Sequence, residues 1–176
     1  MPTIGVAVAI PEPWATELQD YRTSVGDTTA TMIPTHITLV PPTEVPDDEL
    51  GAVEKHLAAV ADDFPGFPVH LRGTGTFRPV SPVVFVTLAE GISHCEQLAA
   101  AVRSGPLDVP LDFPYHPHVT IAHHLDDDRL DEAFAGLATF ECEFDVAAFH
   151  LYVHDAALGW QPTRVFTLHE GPDTRR

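Results

Sequence analysis

Two short stretches carry the side chains best suited to chemistry: Pro34-Thr35-His36-Ile37-Thr38-Leu39-Val40 and Pro117-His118-Val119-Thr120-Ile121-Ala122. In a strand alternate side chains share a face, so His36 lies beside Thr38 and His118 beside Thr120. Ile37, Leu39, Val119 and Ile121 then turn the other way, into a core. Two such strands brought together present two imidazoles and two hydroxyls to one small ligand, the inventory for general acid–base work on a phosphodiester without a metal. Histidine has the side-chain pKa nearest neutrality, so one imidazole can be protonated while the other is free. A single His-x-Thr among 11 histidines would carry little weight. The repeat of its frame carries more: a proline just before the His, a β-branched residue between His and Thr, aliphatics after.

The elements that must position these residues follow a repeated order. Thr3 to Ile10 reads as a strand, and Pro11-Glu12-Pro13 opens a helix whose Trp14, Leu18, Tyr21 and Val25 recur at helical spacing. The His36 strand comes next, closed by Pro41-Pro42. A second helix runs from Asp47 to Asp62 on an apolar stripe of Leu50, Val53, Leu57 and Val60, and Phe64 to Phe77 is extended. The order then recurs: strand Pro82–Leu88, helix Ile92–Arg103, strand His118–Ala122, helix Asp126–Leu137, strand Phe140–Phe144. The two histidines stand 82 positions apart, so an internal duplication is expected, with two halves facing each other in a single two-lobed domain over residues 1–176. Two further strands, about Ala148–His154 and Thr163–His169, are joined through Asp155 and Gly159, and Gly171–Arg176 reads as a frayed tail. Local alternation of strand and helix by itself suggests a parallel doubly wound sheet. No glycine-rich phosphate loop follows any strand, which argues against Rossmann or P-loop function.

A net charge of −17 with nine basic residues excludes the basic stripe that tracking along long duplex nucleic acid requires. An anionic partner is expected to be small or held by its end. No apolar run approaches a membrane span and the N-terminus lacks a basic leader, so a cytoplasmic protein is expected, with Cys95 and Cys142 as reduced, buried thiols.

His36-Ile37-Thr38-Leu39 and His118-Val119-Thr120-Ile121 resemble the paired motifs of the 2H phosphoesterases, in particular the bacterial 2′-5′ RNA ligase and cyclic phosphodiesterase branch. The resemblance extends to Gly73-Thr74-Gly75-Thr76-Phe77 and Tyr115-His116-Pro117, and so covers most of the chain. It implies an α+β fold of two pseudo-twofold lobes, each an antiparallel sheet with helices outside, around a central cleft. It also implies that His36 and His118 are acid and base on a phosphodiester while Thr38 and Thr120 hydrogen-bond its nonbridging oxygens. The implied substrates are 2′,3′-cyclic phosphates of nucleotides or RNA ends, with reversible 2′-5′ joining, no cofactor and no metal, in a monomer. Gly5-Val6 departs from the bulky aromatic or arginine that opens the first strand of many members.

Family position makes Phe77 a stacking surface for a base and Arg78 a phosphate partner; alternatively they are a core aromatic and a solvated cation. Pro117 forces an extended backbone before it, so His116 shares the face of His118, and Tyr115 and His116 are expected to line the cleft. His124 falls on that face too if the strand runs on. His116, His118, His123 and His124 raise a second reading, a metallohydrolase, although no helical ligand spacing is present. A third is a nucleotide- or RNA-end-binding module without turnover. Asp126-Asp127-Asp128 reads as a helix start.

Overall fold

The computed structural model describes residues 1–170; the tail expected from Gly171 lies outside them. Eight strands and four helices follow in the order β1 (Thr3–Ala9), α1 (Trp14–Ser24), β2 (His36–Glu44), α2 (Leu50–Asp63), β3 (Phe67–Thr76), β4 (Val83–Glu90), α3 (Ile92–Val102), β5 (Val119–His123), α4 (Asp127–Gly136), β6 (Glu141–Val146), β7 (Ala148–Asp155) and β8 (Gly159–Thr167). They form two four-stranded sheets, ordered β2-β1-β7-β8 and β5-β4-β3-β6, and every pairing is antiparallel. The parallel arrangement suggested by local alternation is therefore replaced by the two-lobed α+β fold.

Alternation decides which way each strand faces. Ile4, Val6 and Val8 of β1 are buried in the core, as are Ile37 and Leu39 of β2, Val84 and Val86 of β4, and Val119 and Ile121 of β5. Gly5, Ala7, His36, Thr38, Phe85 and Thr120 thereby fall on the opposite, inner faces. The helices cover the outer faces with apolar stripes: Val53, Leu57 and Val60 of α2, and Cys95, Leu98 and Val102 of α3. Both cysteines are buried free thiols. Asp126 caps α4, accepting a hydrogen bond from the Arg129 N–H at 2.9 Å, as a helix-starting acidic run should.

Three expected boundaries move. β2 does not stop at Pro41-Pro42 but runs to Glu44, because it is an edge strand and the prolines fall at an irregularity where Ile4 pairs Thr43 and Val6 pairs Val40. A proline there forfeits no ladder bond. β8 likewise starts at Gly159, before Pro162, on the other edge of the same sheet. Residues Asp47–Glu49 form a tight 3-10 turn ahead of α2.

The lobes interlock. α1 packs against β5, α3 packs against β2, and β2 meets β5. The Tyr115 hydroxyl donates to the Thr38 carbonyl at 2.7 Å across the junction. Among the described residues no helix is long and apolar enough to cross a membrane.

Candidate active site

The two His-x-Thr segments lie on the edge strands where the sheets meet, with His118 immediately preceding β5. Each imidazole is held in the same way. The Nδ1 of His36 is 2.6 Å from the carbonyl oxygen of Pro34, and the Nδ1 of His118 is 2.7 Å from that of His116. A carbonyl only accepts, so both Nδ1 atoms carry the proton and both Nε2 atoms are left to exchange one with a ligand. The hydroxyls of Thr38 and Thr120 are the next inward groups along each strand.

Electrostatics favour neutral imidazoles. Burial lowers the pKa of His36 and the Arg22 guanidinium lowers it further, against a partial rise from the Pro34 carbonyl. Burial takes His118 down to about 4, with the neighbouring His116 and His36 adding to the fall and the His116 carbonyl opposing it. Aromatic rings crowd the His118 imidazole. The Phe77 ring stands edge-on to His118 at 4.9 Å between centroids, Phe85 lies at 5.2 Å, and the two phenylalanines are 4.5 Å apart.

The other expected residues divide. Phe77 and His116 join the group around His118, their rings 5.5 Å apart. Tyr115 carries the junction hydrogen bond to Thr38, with the Arg103 guanidinium 5.5 Å over its ring. Arg78 is turned to α4, donating to Asp131 at 2.8 Å and to the Thr76 hydroxyl at 3.2 Å. His123 reaches not His118 but the first lobe, its Nδ1 3.5 Å from Asp27 Oδ2; His124 is exposed, with a left-handed backbone. Among the described residues no three of His, Cys, Asp and Glu converge in a way that could hold a metal ion.

Sequence reasoning missed two features. One is a buried ion pair, Arg22 to Asp27 at 2.8 Å, with both residues less than a tenth exposed. Burial pushes the Asp27 carboxyl up, but hydrogen bonds from Thr29 and Arg22 outweigh it and hold the pKa below its ordinary value. Arg22 follows Leu18 by one helical turn, and an arginine on an apolar stripe was the available signal. The other is a cavity of about 90 Å³ on the inner face of the first sheet, beside His36 and Thr38. Its floor is Gly5 and Ala7, and its wall is Tyr152 and Trp160. The small residues of Gly5-Val6-Ala7 were visible; the aromatic wall, near the other end of the chain, was not.

A pair of twinned imidazoles on facing edge strands, each backed by a threonine, defines a two-lobed phosphoesterase architecture. The chain belongs to the 2′-5′ RNA ligase superfamily, whose sequence model matches residues 10–158. It is 28% identical over 157 residues to a Bacillus licheniformis protein named "Putative phosphoesterase", covering 86% of this chain and 92% of the relative. Its fold matches the crystal structure of TT0787 from Thermus thermophilus, with a TM-score of 0.71 at 24% identity over 96% of this chain and 98% of that one. It also matches E. coli LigT in apo form, with a TM-score of 0.70 at 20% identity over 97% and 99%. The protein is an enzyme of the 2H phosphoesterase type.

Proposed function

We propose that this enzyme is a metal-independent phosphodiesterase that opens 2′,3′-cyclic phosphates on nucleotides or RNA ends, and that joins 2′-5′ ends in reverse. The observation that carries the reading is the matched pair of Nδ1–carbonyl hydrogen bonds, which leaves two free Nε2 atoms at one junction. One neutral Nε2 takes a proton from water as the oxygen attacks phosphorus. The other, protonated, gives its proton to the departing ribose oxygen, and the cyclic diester becomes a monoester. Thr38 and Thr120 donate to the nonbridging oxygens without burying an added charge. Entry of an anionic phosphodiester raises both depressed pKa values, supplying the proton the free site holds weakly at neutral pH.

Nucleotide substrates fit further observations. LigT has been crystallised with 3′-AMP, ATP and NADP+, at 20–22% identity to this chain. Of the nine basic residues, Arg22, Arg78, Arg129 and Arg164 each lie within ion-pair distance of a carboxylate, which leaves little positive surface for a long nucleic acid.

Hydrolysis of a nucleoside 2′,3′-cyclic phosphate is expected to survive exhaustive chelation. Activity lost in chelator and restored by zinc or manganese would replace this reading with a metallohydrolase. Nucleotide binding without turnover on any cyclic or 2′-5′-linked substrate would replace it with a recognition module.

A further inference from the structure

The cavity beside His36 is built in a way that points to a particular occupant. Ala7 is the cross-strand neighbour of Thr38, and Gly5 lies two residues before it on the same face. Together they give a flat floor of backbone and one methyl group. The Trp160 indole leans over that floor, so that a Cβ placed on Gly5 would stand 3.5 Å from its ring. Tyr152, only 6% exposed, completes the wall. Just beyond Ala7, its neighbour His150 has a buried Nδ1 that is unpartnered among the described residues. The space is several times the roughly 10–15 Å³ that admits one water. It is flat, apolar on its faces, polar at its edge, and open to the two groups that would handle phosphate.

We propose that this hollow is the seat of the substrate's nucleobase, which lies against Trp160 over Gly5 and Ala7 with its ribose phosphate directed to His36 and Thr38. The assignment rests on the phosphodiesterase reading for the phosphate position alone. Stacking on an indole accepts any base, because every base has a π face, while the Tyr152 hydroxyl offers one donor and acceptor to the base edge. Phe77 and Phe85, on the opposite lobe, are spent on packing His118. The enzyme would therefore hold one base, and a single terminal nucleotide is sufficient substrate.

The test separates base recognition from turnover. The chain has two tryptophans, so in a Trp14→Phe background Trp160 is the sole indole emitter. Titration with 3′-AMP is expected to quench that emission, and inorganic phosphate is not. In parallel, kcat/KM is compared for adenosine 2′,3′-cyclic phosphate and for the abasic ribose cyclic phosphate. The preference for the nucleoside should fall roughly 10-fold or more in Trp160→Ala and in Gly5→Val, mainly through KM. The proposal is overturned if saturating 3′-AMP leaves the emission unmoved, or if both variants keep the wild-type preference. Should no cyclic phosphate turn over at all, the phosphodiesterase reading fails by itself and the fluorescence titration still decides the base site.

Discussion

The two lobes offer the same chemistry in opposite surroundings. Thr38 faces Ala7 across the first sheet, whereas the corresponding Thr120 faces Phe85 across the second. The Phe85 ring fills the space over Gly75, where an added Cβ would come within 2.7 Å of it. In the first lobe the covering aromatic, Trp160, reaches in from the far edge strand and leaves a hollow. One alanine against one phenylalanine thus turns a near-symmetric frame into a sealed side, where two phenylalanine rings pack on the imidazole, and an open side, where a hollow is left beside it, although burial depresses both imidazoles. A twofold scaffold can in this way serve a substrate that has no twofold symmetry.

Removing either imidazole should do the most damage, whichever lobe it comes from. His36→Ala and His118→Ala should each lower kcat/KM on the order of 10²-fold or more, and the double variant by much less than the product, since groups acting as a unit are not additive. Turnover within a few-fold of wild type in either single variant would sink the acid–base pair. In the wild type kcat/KM should follow a bell whose limbs belong to the pair. Because both histidines are depressed, one of them to about 4, the maximum should lie below pH 6.5.

Next in size is Phe85→Ala, which makes the sealed lobe resemble the open one. Loss of a buried phenylalanine costs roughly 3–5 kcal/mol, read in denaturant unfolding. The pKa of His118, followed by NMR titration, should move up from about 4 toward 6.5 as water gains access. Stability should respond in a defined sense. Between pH 4 and 6.5 the unfolded chain binds a proton that folded His118 refuses, so stability falls as pH drops through that window and is level above it. The variant should lose most of this dependence; an unaltered His118 titration would show that the phenylalanine wall is not its cause. Smallest are Thr38→Ala and Thr120→Ala, each about 1–3 kcal/mol in kcat/KM for one hydrogen bond to an ionised oxygen. Equal losses would show that both hydroxyls reach the phosphate despite the different walls, and a loss confined to one would assign the phosphate to that lobe.

What was legible in the sequence was what depends on local pattern. The facing of His36, Thr38, His118 and Thr120 follows from period-two alternation, and the helices from their apolar stripes. The errors share a cause. Pro41-Pro42 is expected to close β2 and the last strand to begin only about Thr163, but Pro41, Pro42 and Pro162 all lie within edge strands, and whether a strand is an edge is a property of the sheet and not of the segment. The late start expected for that strand leaves out Trp160, which lies in β8 ahead of Pro162. Arg22 and Asp27 escaped for a related reason, since a charged pair five residues apart looks solvated until a second lobe, with His123, closes over it.

The route of the chain through the two sheets bears on how the site is made. The second sheet uses β3 to β6 in unbroken sequence, whereas the first joins β1 and β2 to a hairpin that arrives only after the whole second lobe. Pairings of such long range are slow to form, and on the ribosome they wait for the late segment to emerge. The sealed lobe with His118 can therefore assemble early, while β1 stays an unpaired, apolar edge until β7 docks on it. Gly5 and Trp160, which meet across that last-formed sheet, would make recovery of Trp160 emission a clock for the final step of folding.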